Sequence, residues 1–315
     1  MEWAYKLIAT IMAFFLYFSV GDITQYAPHD AENLQTSFTV IADTHLESFT
    51  RWRHKNFVEA LHDINAMKRK SDALIFLGDN TMNGQVFEQS EFYGLLKKHN
   101  TVENVLMVTG NHDLCPGKHN MGEYDDFIER FIKYNNIYTN NQIDKIYYST
   151  ELNGYKFVVL ASEKDAGIQQ YISEEQFEFL ENELKENEKT DKPLFLFSHF
   201  PLDDVFSDVW LEGHVGEQSD RLKELLQKYD NRIFFFTGHL HMGVFENEYH
   251  IAEDKNITFL SLPAFGADNS DGDATIQDVG MGYQVEVYKD SVYVAVRNFA
   301  EHKWVEGYEY TFPIK

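Results

Sequence analysis

Cysteine is almost absent from this chain: Cys115 is the one example in 315 residues. Without a second thiol there is no intramolecular disulfide, no four-cysteine zinc site and no Cys-x-x-Cys redox motif. Proline and glycine are also sparse, at 6 and 18 residues, while apolar residues make up 43%. This composition argues against disorder and fibrous repeats, and leaves a globular chain long enough for one large domain or two ordinary ones. Basic residues are in short supply too. Lys and Arg number 27 against 51 Asp and Glu, a formal charge of −24. So acidic a surface repels nucleic acid and anionic lipid, and no nucleic-acid partner is expected. No internal repeat is present. Histidine, at 13 residues, is better represented, and its placement carries the functional information.

One long apolar run stands out. Leu7 to Gly21 carries no charge and follows a single base, Lys6. It is short for a membrane span, which needs about 20 residues. Its length suits the apolar region of a signal peptide, and Ser19-Val20-Gly21 offers small residues where a peptidase cuts. No cysteine follows it, which argues against a lipoprotein anchor. The expectation is a signal peptide or N-terminal membrane anchor over 1–21, a polar linker over 22–36 and one folded domain over 37–315. That domain would work outside the cytoplasm, secreted or tethered through residues 7–21.

Within it, short apolar runs alternate with amphipathic stretches, as in an α/β fold. The runs are Phe38–Ala42, Ala73–Leu77, Val105–Thr109, Phe157–Ala161, Leu194–Phe197 and Ile233–Thr237. Trp52–Lys70 places Phe57, Leu61, Ile64 and Met67 on one helical stripe, and Arg221–Tyr229 reads as another helix. Ser173-Glu-Glu-Gln176 has the form of a capping box before Phe177, Leu180 and Leu184. After Gly243 the pattern turns to β, with a strand at Ile257–Leu262 and a hairpin over Gln284–Phe299 turning at Lys289-Asp290. The acidic segment Asp268–Asp273 fails as an EF-hand loop, because Ser270 and Val279 stand where ligands are needed.

Five of the apolar runs end in metal-ligand residue types. They give Asp43-Thr-His45, Gly78-Asp79, Gly110-Asn-His-Asp113, Ser198-His199 and Gly238-His-Leu-His241. A single such ending is ordinarily a turn or a cap. Five together can converge, because the carboxyl ends of strands in an α/β sheet form its ligand-binding edge. Two Asp, four His and one Asn form a sulfur-free donor set, which suits Mn, Fe, Zn or Co. Seven donors exceed what one ion with an open position needs, whereas two ions sharing a carboxylate use them all.

The ordered set Asp43-x-His45, Gly78-Asp79, Gly110-Asn-His-Asp113, His199 and Gly238-His-x-His241 resembles the calcineurin-like metallophosphoesterase superfamily, from about residue 37 to 243. The resemblance implies a four-layer α/β/β/α sandwich with two mixed β-sheets and a metal site at strand ends. It implies two divalent metal ions. Asp43, His45 and His241 would hold the first, Asn111, His199 and His239 the second, and Asp79 both. It further implies that His112 meets the phosphate and acts as general acid, with Asp113 orienting its ring. The implied reaction is attack on a small phosphoester by a hydroxide shared between the ions. Asn111 and His112 would contact the substrate, and His214 is a further candidate for lining the cleft. Departures narrow the branch. The arginine that protein Ser/Thr phosphatases carry after the second motif is missing, the third motif ends in Asp113 rather than Glu, and Met82 occupies the place of the tyrosine ligand of purple acid phosphatases. The chain looks more like bacterial phosphohydrolases grouped with cyclic-nucleotide phosphodiesterases. A non-catalytic scaffold on the same fold is disfavoured because Asn111, His112 and Asp113 are all retained.

Overall fold

The computed structural model describes residues 28–114, 123–165, 169–206, 215–244, 250–267 and 279–315. In chain order the first half contains β1 (Thr36–Ile41), α1 (Arg51–Ala66), β2 (Ala73–Leu77), α2 (Val86–His99), β3 (Asn104–Val108), α3 (Tyr124–Tyr138), β4 (Tyr148–Leu152) and β5 (Tyr155–Val159). The second contains α4 (Glu174–Glu188), β6 (Leu194–Phe197), α5 (Ser219–Leu226), β7 (Ile233–Thr237), β8 (Ile251–Asp254), β9 (Ile257–Ser261), β10 (Met281–Val287), β11 (Ser291–Asn298) and β12 (Lys303–Pro313).

Two mixed six-stranded sheets result, ordered β12-β11-β10-β1-β2-β3 and β4-β5-β6-β7-β9-β8. Residue alternation explains how they stack. In β6 and β7, Phe195, Phe197, Phe234 and Phe236 point to the first sheet, and Leu194, Leu196, Ile233 and Phe235 point the other way. Phe38 of β1 lies at the centre of the inner layer, with ring centroids 5.0–6.1 Å from Phe157, Phe195, Phe197 and Phe236. Outside, Phe57 of α1 and Phe92 of α2 pack on Phe76 of β2. On the opposite face, Phe177, Leu180 and Leu184 of α4 and Leu222 and Leu226 of α5 cover the second sheet. The four layers are helix, sheet, sheet, helix, as the family resemblance implies.

Local differences have local causes. Only half of the Ser173 capping box forms: Ser173 Oγ accepts from the Gln176 N–H at 3.1 Å. The Gln176 side chain instead turns inward, bonding both the N–H and the carbonyl of Ala161 at 3.0 Å, because the buried end of β5 offers it two partners. The end of the stretch expected as a linker also has defined contacts. The His29 N–H donates to Glu286 at 2.9 Å, its ring stacks on Tyr293, and the Asp30 N–H donates to the Tyr288 hydroxyl at 2.9 Å. A buried ion pair joins α1 to β11, with Arg297 donating twice to Asp63 at 2.6 and 2.7 Å. Among the described residues no helix is long and apolar enough to cross a membrane. Residues 1–21, Cys115, His214 and the acidic segment Asp268–Asp273 lie outside the described residues.

Candidate metal centre

Strands β1, β2 and β3 run parallel in the first sheet, and β5, β6 and β7 run parallel in the second. The loops after β1, β2, β3, β6 and β7 supply the five clusters, and the clusters meet at one edge of the sandwich. The loops are stitched together by backbone: the Asp43 N–H bonds the Gly78 carbonyl at 3.1 Å, that of His45 the Asp79 carbonyl at 2.9 Å, and that of Gly238 the His199 carbonyl at 3.0 Å.

Six of the seven residues named from the sequence as metal holders form two donor groups at this edge. Asp43, His45, Asp79 and His241 present one donor atom each within 4.8 Å of one another, and Asp79, His199 and His239 form a second such group. His45 Nε2 lies 3.0 Å from His241 Nε2, and His241 Nε2 lies 3.3 Å from Asp43 Oδ1. In the other group His199 Nε2 is 3.3 Å from Asp79 Oδ2 and 3.2 Å from His239 Nδ1. Donors about 3–4 Å apart are what a cation with bonds of about 2.0–2.2 Å requires. Two buried oxygens support that fit. Among the described residues, Asp43 Oδ1, itself in the first group, and the Asn111 side-chain oxygen are buried and accept no hydrogen bond, an expensive state that a cation relieves. Asp43, His45, Asp79 and His199 are buried, whereas Asn111, His112, His239 and His241 are half-buried and mark the open side.

The backbone is bent to achieve this. Asp43, His45, Asp79, His239 and His241 all have positive φ, between 42° and 71°. A left-handed conformation costs a non-glycine residue about 1–2 kcal/mol, and such strain concentrates where function requires it. It turns each side chain sharply back over the strand end. Close approach also explains two glycines. A Cβ on Gly110 would overlap the Asp79 carboxyl, and one on Gly238 would stand 2.6 Å from Asp43 Oδ2.

Electrostatics follow from packing two acids among histidines. Burial pushes the Asp79 carboxyl up, but His199, His112 and His45 outweigh it and hold the group well below the usual carboxylate range. Burial lowers His45 to about 3, against the pull of Asp79 and Asp43, so its ring is neutral and free to ligate at neutral pH. Burial also pulls on His199, but Asp79 and Asp43 carry it up to about 9. The His199 Nδ1 donates to the Leu77 carbonyl at 2.9 Å, which leaves Nε2 facing Asp79.

One expected relationship does not form. Asp113 does not orient the His112 ring; that ring bonds the Met82 carbonyl through Nδ1 at 2.6 Å. Asp113 instead accepts from the N–H and Nδ2 of Asn80, the N–H and hydroxyl of Thr81 and the N–H of Gly110, all at 2.9–3.1 Å. The reason is geometric: Asp113 is buried beneath the loop after β2, where five donors converge. Burial and then Asp79 push its carboxyl up to about 6, against those N–H groups. The His112 N–H donates to Asp79 Oδ1 at 2.8 Å, so the third motif aims the shared carboxylate. No sequence pattern marks Arg53 as part of this edge. Its guanidinium donates to the His45 carbonyl at 3.0 Å and the Gly266 carbonyl at 2.7 Å. A polar residue at a helix start carries no pattern that distinguishes it, and contacts to backbone leave no trace in residue type.

A family model, described as calcineurin-like phosphoesterase, matches residues 36–243, about two thirds of the chain and the span that contains every donor above. The chain belongs to the calcineurin-like phosphoesterase family. It is a phosphoesterase, and its chemistry is metal-dependent phosphoester hydrolysis. A relative from Arcobacter nitrofigilis, named a probable glycerophosphodiester phosphodiesterase GpdQ, is 27% identical over 212 residues, covering 64% of this chain and 70% of its own. Among solved structures, GAP50 of Plasmodium, titled the anchor in the inner membrane complex, matches with a TM-score of 0.59 at 12% identity, covering 89% of each chain. A predicted phosphoesterase from Streptococcus pneumoniae covers 88% of this chain and 97% of its own, with a TM-score of 0.42 at 15% identity. The 12% likeness to GAP50 speaks for the calcineurin-like fold alone.

Proposed function

We propose that the chain hydrolyses small phosphodiesters at a dinuclear centre in which Asp79 is shared by both cations. The observation that carries this reading is that, among the described residues, Asp79 alone belongs to both donor groups. Asp43, His45 and His241 complete the first position, and Asn111, His199 and His239 the second. The sulfur-free donor set favours Mn, Fe, Zn or Co. Cations held there supply Lewis acidity and lower the pKa of a bound water from about 15.7 toward 7.

The chain's own residues do the rest. The N–H of His112 keeps Asp79 aimed between the two groups. A carbonyl cannot donate, so the contact with Met82 puts the hydrogen on His112 Nδ1 and leaves Nε2 for the substrate. From the half-buried side of the site, the doubly protonated ring would carry a second hydrogen on Nε2, meet the phosphoryl group there and pass that proton to the leaving oxygen. The name of the Arcobacter relative supports a diester. The formal charge of −24 excludes polyanions from the exterior and supports a small substrate over nucleic acid. Residues 7–21 support work outside the cytoplasm, as an export signal or tether; a reporter fused to residues 1–30 that stays in the cytoplasm would refute this.

The deciding experiment loads purified protein with Mn²⁺ and compares glycerophosphodiesters, cyclic nucleotides, nucleoside monophosphates and aryl phosphates. Diesters are expected to turn over fastest, with activity lost on chelation and restored by metal. A preference for monoesters would overturn the diester assignment, and no turnover of any substrate would overturn the whole reading.

A further inference from the structure

The turn that carries Met82 is held more tightly than a loop between a strand and a helix requires. The Met82 N–H donates to the Leu46 carbonyl at 3.0 Å, next to the first motif. Two residues on, Gly84 has a φ of +61°, and a Cβ there would overlap the Asp113 carbonyl, so this turn presses on the His112–Asp113 chain. Arg130 of α3 donates to the Gly84 carbonyl at 3.0 Å. Glu88, in the first turn of α2 and only 1% exposed, closes the arrangement. Its carboxyl oxygens accept from the Asn83 N–H at 2.9 Å, from Asn83 Nδ2 at 2.9 Å and from the Gln85 N–H at 3.4 Å. Capping α2 needs only the long contact to Gln85, the residue at the N-cap. The two shorter contacts lie outside the helix and grip the residue that follows Met82.

We propose that Glu88 is a positioning residue for departure of the leaving group: by gripping Asn83 it holds the Met82 carbonyl against His112 Nδ1 and so aims His112 Nε2 at the leaving oxygen. This rests on the reading of His112 given under Proposed function. In that step the water oxygen bonds to phosphorus while the bond from phosphorus to the leaving oxygen breaks. The leaving oxygen takes the proton of His112 Nε2, and the proton lost by water restores it. Glu88 touches none of the reacting atoms. Its effect is confined to how well Nε2 is placed, so it matters most where the leaving oxygen needs a proton.

The test is Glu88→Gln, which sets an amide donor against the N–H groups of the turn, assayed on an alkyl and a p-nitrophenyl phosphodiester. A nitrophenolate leaves without protonation, whereas an alkoxide does not. With metal content unchanged, kcat on the alkyl diester is expected to fall about tenfold or more and kcat on the aryl diester less than about threefold. KM should stay the same for both. In a His112→Ala background the same substitution should leave the alkyl-to-aryl ratio where it was, because the two residues act as one unit. Equal losses on both substrates, or a further fall of the ratio in that background, would show Glu88 to be a helix cap only. Asn83→Ala removes one grip from a half-buried position and must give the same split at smaller amplitude, which decides the matter should Glu88→Gln not fold. If wild type hydrolyses neither diester, or His112→Ala leaves the ratio unchanged, the reading of the site falls and this proposal with it. If both hold and only the Glu88 and Asn83 splits are absent, the proposal alone falls.

Discussion

His45 Nε2 and His241 Nε2 face each other across 3.0 Å, although they follow strands of different sheets and lie 196 positions apart. Asp43 Oδ1 stands 3.3 Å from the second of these nitrogens. Two imidazole nitrogens and a carboxylate oxygen gathered this closely could hold a cation, which would tie the two halves of the sandwich together.

Asp79 belongs to both donor groups, so its loss should empty both positions. Asp79→Asn is expected to reduce bound metal from about two ions per chain to fewer than one, read by elemental analysis. Activity should fall by more than about 100-fold. Full activity with metal lost would end the two-metal reading.

His112 contributes its N–H to Asp79 and, in the proposed reaction, its ring to the substrate, and only the ring is removed by His112→Ala. The expected result is a rate lower by about 10²–10⁴-fold with metal content retained. An unchanged rate on poor leaving groups would remove the general-acid role.

Metal uptake should release protons. In the metal-free protein His199 is carried up to about 9, so its ring is cationic at pH 7 and a cation must displace that proton. Calorimetry in buffers of different ionisation enthalpy should report about one proton released from this site at pH 7 and a fall toward none above pH 9. The same raised value stabilises the metal-free fold fully below the unfolded pKa of about 6.5, and that contribution is lost as pH rises through about 9. Proton release independent of pH would contradict the assignment of His199.

Gly110 is expected to reject any side chain. In Gly110→Ala the new Cβ meets the Asp79 carboxyl and its backbone N–H. Overpacking of this kind costs about 1–3 kcal/mol, to be read as a lower melting temperature together with weaker metal binding. Normal metal affinity would show that the loop can move aside at little cost.

The Asp63–Arg297 pair acts on stability only. Asp63→Ala removes the carboxylate that faces a buried guanidinium and should cost about 3–5 kcal/mol, measured by denaturant unfolding. The folded fraction should keep its rate per bound metal, since the pair joins α1 to β11 away from the donor groups. A changed rate in that fraction would disprove the separation.

Much was legible along the chain because it is written in local pattern. Strands β2, β6 and β7 begin and end where their apolar runs do, and the stripe on α1 buries Phe57, Leu61 and Ile64 as its spacing implies. Strands β4 and β12 leave no such mark, because half-exposed strands such as Tyr148–Leu152 and Lys303–Pro313 lack a continuous apolar run. The Ser173 capping box failed in its second half for a tertiary reason, since the end of β5 outbid the helix for the Gln176 side chain.

The sequence by itself determined the chemistry of the site: which residues end the strands, in what order, and that their donors are nitrogen and oxygen without sulfur. Only the tertiary structure decided which atoms meet. Stacking two sheets brought His45 against His241, and left-handed backbone turned five donors inward. A buried loop then took Asp113 for itself and gave His112 a backbone carbonyl. Residue type and spacing specify what a side chain can bond. The partner it chooses depends on which donors and acceptors burial brings within 3 Å, and a carbonyl such as that of Met82 is offered by any residue at all.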